Sequence, residues 1–436
     1  MNKSKFNIAK FPFFYGYIIL IVGTIGVTMS SPGQTVGVSV FTDYLIDALE
    51  ISRDNLSLAY LCGTLLSSFL ITSAGRFFDK FGARVTSVLS AIMLGFSLYF
   101  LSEIEWVSNT IFGLIGSSRE IIIFTFLVIG FFALRFSGQG VLTMAARNMV
   151  MLWFEKRRGM ASAVMGIAIS FGFSYSPIIF DHLIEEGNWQ SAWQQIAIAV
   201  GIIFAIFAYF TFRDSPKKYG LIPDGKEVVV KNKNHPKYAP DKSYTLPEAR
   251  KKYSFWIFTL TLSMHALYIT ALTFHVVDIF SNAGLTREDA ISIFLPSSVI
   301  AVIFQLSSGY LADFIKLKYL LLVQLLGLLI AMIGLSMLSA GFPVYLIILG
   351  NGIGGGLFGV VHSVTWPRYF GTLHLGAISG FASSWVVAGS AIGPYMFSYI
   401  KDFSGSYQIG GIVCFIATFI LFILSFKADN VNLKEE

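Results

Sequence analysis

The chain has 436 residues, of which 55% are hydrophobic and only 13% charged, and its formal net charge is +6. Soluble domains carry about 25% charged residues, so this composition and the mean hydropathy of +0.69 exclude an ordinary soluble protein and indicate a polytopic membrane protein. The positive charges lie between apolar stretches rather than in a basic tail, so we expect no nucleic-acid partner.

Twelve apolar stretches are long enough to cross a bilayer, which requires about 20 residues each. A lysine- and proline-rich segment at 214–252 divides them six and six, which predicts a solvated linker between bundles at 1–213 and 253–436. Thr245 and Glu248 have the spacing of a capping box and predict a short helix at the end of this linker. The predicted spans are 14–38, 55–75, 84–102, 121–147, 159–180, 194–212, 254–280, 290–312, 318–339, 343–365, 376–399 and 407–426.

The distribution of Lys and Arg predicts the orientation of these spans. With a cytoplasmic N-terminus, the external segments hold only Arg53, Arg119, Arg287 and Lys401 out of 31 basic residues. The positive-inside rule therefore places both termini and the linker in the cytoplasm, as expected for a multi-pass protein of a bacterial inner membrane. The longest external loop, 103–120, is expected to lie along the membrane surface.

The two halves repeat in sequence. GRFFDKFGAR at 75–84 aligns without a gap with GYLADFIKLK at 309–318, and both follow the second span of their half. GFSYSP at 172–177 aligns with GSAIGP at 389–394, and the paired glycines 138 and 140 align with 354 and 356. Parallel repeats around a site at the bilayer midplane are a recurring design of secondary transporters.

The first loop resembles the G-x-x-x-D-[RK]-x-G-[RK]-[RK] loop of the major facilitator superfamily, with Ala83 in place of one basic residue. WFEKRRGMASAVMGIAISFG at 153–172, FYGY at 14–17 and WPRYFG at 366–371 resemble the monocarboxylate porter and oxalate–formate antiporter branch. The resemblance implies an all-α membrane protein with twelve transmembrane helices in two pseudo-symmetric six-helix bundles. It also implies a central cavity surrounded by helices 1, 4, 7 and 10.

Two sets of residues are predicted to serve the conformational change. Acidic and basic residues of the two loops would latch the halves on the cytoplasmic side, although ordinary positive-inside loops with turn glycines have the same composition. The glycines and prolines of the second repeat allow close helix contact and kinking, and simple packing is the alternative. The latch residues are Gly75, Asp79, Lys80, Gly82, Arg84, Gly309, Asp313 and Lys318, and the hinge residues are Gly172, Pro177, Gly389 and Pro394.

Arg135 lies in the middle of the apolar run FFALRFSGQGVL at 131–142. A charged residue at bilayer depth costs about 2.5–3.5 kcal/mol or more, so its surroundings must compensate this cost. Gln139 and Thr143 lie four and eight residues further on and share its helix face, and the repeat places Asn351 opposite it. Asp278 is the only acid in any span, so a carboxylate substrate could complete the site; bonds to backbone carbonyls are the alternative.

Polar residues also mark spans one, seven and ten, which correspond to cavity helices of the family. Histidine titrates near neutral pH and can carry a proton, but each of these histidines could equally be a structural hydrogen-bonding group. The predicted substrate-binding residues are Arg135, Gln139, Gln34, Tyr268 and Asn351, and the predicted proton-coupling residues are His275, Asp278, His265 and His362.

The predicted function is secondary active transport of a small organic anion such as a monocarboxylate, with proton coupling left open. Spans eight and eleven lack the basic residue on which the monocarboxylate and oxalate relatives rely, a departure from that branch that argues against a doubly charged substrate such as oxalate, and one cation favours a single carboxylate. Efflux of amphipathic compounds and a non-transporting sensor on the same fold are the alternatives. We expect a monomer in a lipid bilayer that binds no cofactor or metal and is not an enzyme, since GLIPDGK at 220–226 lacks the Ser or Thr of a P-loop.

Overall fold

The computed structural model describes residues 11–115, 118–225 and 242–428, and within these ranges the chain is helical without any strand. This follows from the solvent, because a chain in hydrocarbon must satisfy its backbone N–H and C=O groups internally. The α-helices are α1 (Gly16–Thr28), α2 (Thr35–Ser39), α3 (Thr42–Leu49), α4 (Arg53–Ser102), α5 (Ile104–Ile115), α6 (Arg119–Arg135), α7 (Thr143–Trp153), α8 (Arg158–Glu185), α9 (Trp189–Ile198), α10 (Ala205–Thr211), α11 (Leu246–Ala249), α12 (Tyr253–Asn282), α13 (Arg287–Ser292), α14 (Phe294–Ala312), α15 (Leu317–Ser336), α16 (Phe342–Phe370), α17 (Leu375–Ser404) and α18 (Gln408–Ser425).

Among the described residues, ten continuous helical segments are long and apolar enough to cross a membrane, and α1 is a shorter apolar helix before them. One of the ten, α4, has 50 residues and contains the second and third predicted spans. The predicted all-α membrane fold of twelve transmembrane helices in two pseudo-symmetric six-helix bundles is thereby confirmed.

The segment 75–84 is not a loop, and this prediction was wrong. It is helical within α4 except at Gly82, whose φ of 85° and ψ of 175° interrupt the helix. Glycine reaches such angles because it lacks a Cβ, so one residue is enough to end one helix and start the next. In the second repeat the interruption is longer, since α14 ends at Ala312 and α15 begins at Leu317.

The first predicted span is broken at Pro32 and Gly33. α1 ends at Thr28, a 3₁₀ turn covers Ser31–Gly33, and α2 continues the span from Thr35. Proline has no backbone N–H and therefore starts this turn instead of continuing the preceding helix. The break leaves the carbonyl oxygen of Gly33 available to a side chain from elsewhere in the chain.

The structure forms two compact units. Unit 1 comprises Met1–Trp153, Ala168–Glu227 and Ser379–Ser384, and unit 2 comprises Phe154–Ile167, Val228–Ile378 and Trp385–Glu436. Their cores are built from large apolar side chains, and in unit 1 the rings of Phe41 and Trp193 lie 4.7 Å apart. The core of unit 2 includes Tyr268, Leu272, Phe280, Met332 and Phe397. The bundle limits at residues 213 and 253 stay a prediction.

The predicted external loop 103–120 and the end of the linker each form a short helix, and only the helix at the end of the linker was predicted. α5 occupies most of the predicted external loop 103–120 and exposes Trp106. Residues 226–241 of the predicted linker lie outside the described residues, but its end forms α11, where the backbone N–H of Thr245 donates to Glu248 Oε2 at 2.8 Å. The pKa of Glu248 is lowered to about 2, first by a hydrogen bond from Lys242 and then by those from Thr245. The predicted capping box is confirmed.

Candidate functional site

Arg135 is the last residue of α6, and only 1% of its surface is exposed. Its Nη1 donates a hydrogen bond to the carbonyl oxygen of Gly33 at 3.0 Å. Its Cζ lies 5.2 Å from the centre of the Tyr60 ring, within the range of a cation–π interaction. Its Nε has no hydrogen-bond partner, and no carboxylate in the described part of the chain pairs with this guanidinium. The buried cation is thus held by a carbonyl and a ring, with donor capacity remaining.

The helix does not continue beyond Arg135 as the regular α-helix that the sequence analysis assumed. Residues Phe136–Leu142 form a π-helix, so the shared face deduced for Arg135, Gln139 and Thr143 from α-helical periodicity does not carry over. π-helical turns inside α-helices occur frequently at functional sites. Here the extra residue accompanies very close packing, because a Cβ on Gly33 would lie 2.7 Å from the Cα of Gly138.

Gln34 belongs to a polar contact between the first span and the helix that carries Arg135. Its Nε2 donates to Ser30 Oγ at 3.0 Å and to Thr143 Oγ1 at 3.2 Å, and these two hydroxyl oxygens are 2.9 Å apart. Gln139 is different, because its buried Oε1 has no hydrogen-bond partner. Of the two glutamines proposed as substrate ligands, Gln34 therefore connects the first span to α7 through its amide. The side-chain oxygen of Gln139, by contrast, has no hydrogen-bond partner.

Two of the predicted residues of unit 2, His265 and His362, each lie next to the ring of Phe358. The His265 ring lies 4.6 Å from the Phe358 ring at 22°, and Phe358 lies 5.7 Å from His362 at 7°. His265 Nδ1, the Tyr268 hydroxyl and Asn351 Oδ1 are buried without a hydrogen-bond partner. The contact between the rings of His265 and Phe358 joins α12 to α16. The substrate-binding and proton-coupling roles of these residues stay a prediction.

His275 and Asp278 do not form a hydrogen bond or an ion pair with each other in the described chain. His275 Nε2 lies 3.0 Å from the carbonyl oxygen of Pro394 and 3.2 Å from Ser398 Oγ. Asp278 is exposed. The proposed proton pair stays a prediction, while the observed contact links the histidine to α17 at Pro394.

In unit 1 the first predicted latch segment packs against the chain that follows α10. A Cβ on Gly82 would overlap the carboxylate of Asp214, whose Oδ1 accepts from the backbone N–H of Arg84 at 3.2 Å. Arg84 Nε donates to the carbonyl oxygen of Phe212 at 2.9 Å. Any larger residue at position 82 is therefore disfavoured both by the backbone angles and by overlap with Asp214. The other predicted latch residues here are buried Gly75, half-buried Asp79 and exposed Lys80.

In unit 2 the second predicted latch segment caps the start of α8. Asp313 Oδ1 accepts from the N–H of Gly159 at 2.8 Å, and its Oδ2 accepts from the N–H of Met160 at 3.1 Å. The first N–H groups of a helix lack partners within the helix, and a carboxylate there also interacts favourably with the helix dipole. Gly309 packs against the same turn of α8, whereas Lys318 lies beside Tyr319, 5.7 Å from the centre of its ring.

Two residues of these regions have no role in the sequence analysis. Arg368, 4% exposed, donates from Nη1 to the carbonyl oxygen of Ala312 and from Nη2 to that of Ile315 at 3.0 Å, so it fixes the end of α14. Tyr60 supplies the ring beside Arg135. The motif WPRYFG contains Arg368 and drew attention to its position, but nothing in the sequence singles out Tyr60 among 19 tyrosines.

The predicted hinge residues lie at close contacts between helices. A Cβ on Gly172 of α8 would lie 2.5 Å from Thr28 Cγ2, and a Cβ on Gly389 of α17 would lie 2.5 Å from the carbonyl oxygen of Ser263. Pro177 and Pro394 both lie inside their helices. The two glycines occupy equivalent places in the two repeats, and bending at these places stays a prediction.

Among the described residues, no group of three or more His, Cys, Asp or Glu side chains is arranged to hold a metal ion. The buried side-chain atoms without a hydrogen-bond partner in the described chain include Arg135 Nε, Gln139 Oε1, His265 Nδ1, the Tyr268 hydroxyl and Asn351 Oδ1.

The Major Facilitator Superfamily model matches residues 23–394. No curated protein sequence matches the chain. Among solved structures, a double-tryptophan mutant of XylE has a TM-score of 0.65 at 16% identity and covers 97% of both chains. FucP in the outward conformation has a TM-score of 0.64 at 13% identity, over 94% of this chain and 98% of that one. The human organic anion transporter MFSD10 has a TM-score of 0.61 at 13% identity, over 94% and 99%. At such identities these structures show the fold alone.

Proposed function

The chain belongs to the Major Facilitator Superfamily, and we propose that it is a secondary active transporter of a small organic anion such as a monocarboxylate. Members of this superfamily sit in the lipid bilayer and bind small-molecule substrates. In the proposal the protein is a monomer in a bacterial inner membrane with cytoplasmic termini, works by alternating access and catalyses no reaction. We propose this substrate class because the sequence motifs of the chain are similar to those of the monocarboxylate porter branch.

One observation carries the choice of an anion: Arg135 is buried with donor capacity that the protein does not use. A guanidinium presents five N–H donors and stays protonated, while Nη1 is engaged by Gly33 and Nε has no partner. A carboxylate accepts two parallel hydrogen bonds from such a group. Binding a carboxylate would neutralise the cation and satisfy its remaining donors at the same time.

The neighbouring side chains support a ligand with one negative charge. In the described chain no second cation contacts Arg135, whose partners are Gly33 and Tyr60. In the proposal the side-chain amide N–H of Gln139 donates a hydrogen bond to the substrate carboxylate, and the Gln34 amide connects the broken first span to Thr143. Tyr268 and Asn351 are the proposed contacts from unit 2, each with a buried oxygen that has no hydrogen-bond partner.

Coupling to protons is the second part of the proposal. One proton carried with one carboxylate makes the transported pair electrically neutral, so the membrane potential does not oppose its movement. The proposed carriers are His265, His275 and His362, with Asp278 near the end of α12. His275 contacts the carbonyl oxygen of the hinge residue Pro394, which would connect protonation to the bending of α17.

The test is uptake of labelled acetate, lactate, pyruvate and benzoate into proteoliposomes, with and without a pH gradient. We expect Arg135→Gln to lower uptake at least about 100-fold, because hydrogen bonds to charged groups contribute about 1.5–3 kcal/mol each. Arg119→Gln is the matched control, since Arg119 pairs with Glu50 at the surface, 2.9 Å away. Gel filtration checks that both variants fold.

Normal uptake by a folded Arg135→Gln variant would contradict the proposal. Saturable export of a cationic dye that carboxylates do not inhibit would instead favour the efflux alternative. Uptake that is independent of the pH gradient would remove the proton coupling and leave the anion site in place.

A further inference from the structure

Two guanidinium groups converge on one carbonyl oxygen of unit 1, just after α10. Arg84 Nε and Arg213 Nη1 both donate to the carbonyl oxygen of Phe212, at 2.9 Å and 2.8 Å. In the described chain neither arginine forms an ion pair with a carboxylate. Two adjacent positive charges repel each other, and a neutral carbonyl oxygen cancels neither of them. An anion bound to both groups would stabilise the arrangement.

The acidic residue of the same segment does not supply this anion. Asp214 Oδ2 accepts from Lys218 Nζ at 2.8 Å, and its Oδ1 accepts from the backbone N–H of Arg84 at 3.2 Å. Lys218 therefore balances the charge of Asp214, and the exposed Lys217 adds a further positive charge to the segment. The cluster formed by Arg84, Arg213 and these two lysines thus keeps a net positive charge.

The two arginines have donors left for a ligand with several oxygens. Each guanidinium carries five N–H donors in a fork that matches the oxygens of a phosphate. Arg84 also donates from Nη2 to the Tyr219 hydroxyl, 3.4 Å away, and the hydrogen bonds of the two groups use only a minority of their donors. Both side chains are half-buried, so a ligand can reach them from the surface. A phosphate group has more oxygen acceptors than a carboxylate and can bond to both forks at once.

The cluster lies at the end of a segment that can cross a membrane. α10 completes the helical segment Trp189–Thr211, which is long and apolar enough for this, and Arg213 follows it closely. The last turn of the segment exposes the rings of Tyr209 and Phe210, by 56% and 65%. Aromatic residues at the ends of membrane helices are typical of the lipid headgroup level. The pattern indicates that the two guanidinium groups lie at the depth of lipid phosphates.

We infer that Arg84 and Arg213 bind the phosphate group of an anionic phospholipid at the surface of unit 1. The phosphate oxygens accept hydrogen bonds from both guanidinium groups, and Lys217 and Lys218 attract the negative charge of the lipid. The site is independent of Arg135 and of the transported substrate. Since inorganic phosphate offers the same chemical group, the test includes it as a soluble competitor.

The test is native mass spectrometry of the purified full chain, released from detergent micelles that contain phosphatidylglycerol or the zwitterionic phosphatidylcholine with the same acyl chains. We expect wild type to bind phosphatidylglycerol at least about tenfold more tightly than phosphatidylcholine. In the double variant Arg84→Gln and Arg213→Gln the affinity for phosphatidylglycerol should fall about 10- to 100-fold, because hydrogen bonds between charged groups are lost at two positions. Replacing both arginines by lysine should cause a smaller loss, since the charge remains while the forks are removed.

The matched control is the double variant Lys251→Gln and Lys252→Gln, which removes the same charge from two exposed residues of unit 2 and should leave the affinity unchanged. Equal affinity in wild type and the arginine-to-glutamine variant overturns the inference, and so does an equal loss in the control. Displacement of phosphatidylglycerol by millimolar inorganic phosphate, or equal binding of the two lipids, overturns the assignment to an anionic lipid. If the arginine double variant does not fold, Arg213→Gln alone replaces it, because Arg213 bonds only to the adjoining carbonyl oxygen, and a loss of about tenfold is then expected.

Discussion

The cap that Asp313 places on α8 leads to a quantitative prediction about the proposed latch. Its two carboxylate oxygens accept from the N–H groups of Gly159 and Met160 at 2.8 Å and 3.1 Å, and Asp313 is 7% exposed. Asp313→Ala leaves these two N–H groups without the carboxylate. The loss of an N-cap costs about 0.5–2 kcal/mol, and the negative charge at the helix N-terminus contributes up to about 2 kcal/mol more.

We therefore expect Asp313→Ala to destabilise the capped arrangement by about 2–3 kcal/mol, which shifts its equilibrium with the separated state about 30- to 150-fold. Asp313→Asn should have an intermediate effect, since one oxygen acceptor remains while the charge and the second acceptor are lost. The total is smaller than the sum of the separate terms because the cap and the charge act on the same N–H groups.

The assay is the rate at which a thiol reagent labels a cysteine at position 162. Ser162 is completely buried in α8, close to the cap, and serine to cysteine is a small change in size. The background variant has both native cysteines, Cys62 and Cys414, replaced by serine. Labelling requires separation of the capped arrangement, so its rate should rise with the population of that state.

Equal labelling rates in the background variant and in folded Asp313→Ala would refute the reasoning, because the cap would then not control this separation. Asp402→Ala is the matched control, since Asp402 is an exposed acid of α17 and should leave the labelling rate unchanged. A similar increase in the control would point to a general effect of net charge instead of the cap.

Two further predictions concern stability. Gly82→Ala should lower the free energy of unfolding by about 1–3 kcal/mol, and with it the melting temperature in detergent, because φ is 85° at this position and the new Cβ would overlap Asp214. Gly220→Ala is the control, with φ of 71° and no atom within 4 Å of the new Cβ, and it should lower the melting temperature less. Equal losses in the two variants would contradict the steric argument. The folded-state pKa of Glu248 is about 2 against an ordinary 4.5, so its contribution to stability is complete above the ordinary pKa and is lost as the pH falls towards 2. The difference in melting temperature between wild type and Glu248→Gln should therefore be the same at about pH 5 and pH 8 and smaller at about pH 3.5. A difference that changes between pH 5 and pH 8 would show that the lowered pKa of Glu248 is not its cause.

Several features of the fold were predictable because they depend on residues close together in the chain. Apolar runs of about 20 residues predict membrane helices whatever their neighbours are. Pro32 breaks the first span because it lacks an N–H, and Thr245 and Glu248 form a cap across three residues. The repeated loops also led to the superfamily, which the match over residues 23–394 establishes.

The errors occurred where packing overrides local pattern. The segment 75–84 has the glycines of a loop but stays helical up to Gly82, where the chain turns beside Asp214. The apolar pattern of the fourth span indicates a uniform α-helix, yet its middle is a π-helix packed backbone to backbone against Gly33. Neither outcome can be read from side-chain periodicity, because each depends on a residue more than 100 positions away.

The sequence by itself determined that this chain is a multi-pass helical membrane protein of a transporter superfamily, with a cation inside one span and histidines on two others. Only the tertiary structure decided that Arg135 bonds to Gly33 and faces Tyr60, that Asp313 caps α8, and that the rings of His265 and Phe358 stack on each other. The physical reason is the range of the interactions. Hydropathy and capping act within a few turns of one helix, whereas the partner of a buried polar group is set by which helices pack together.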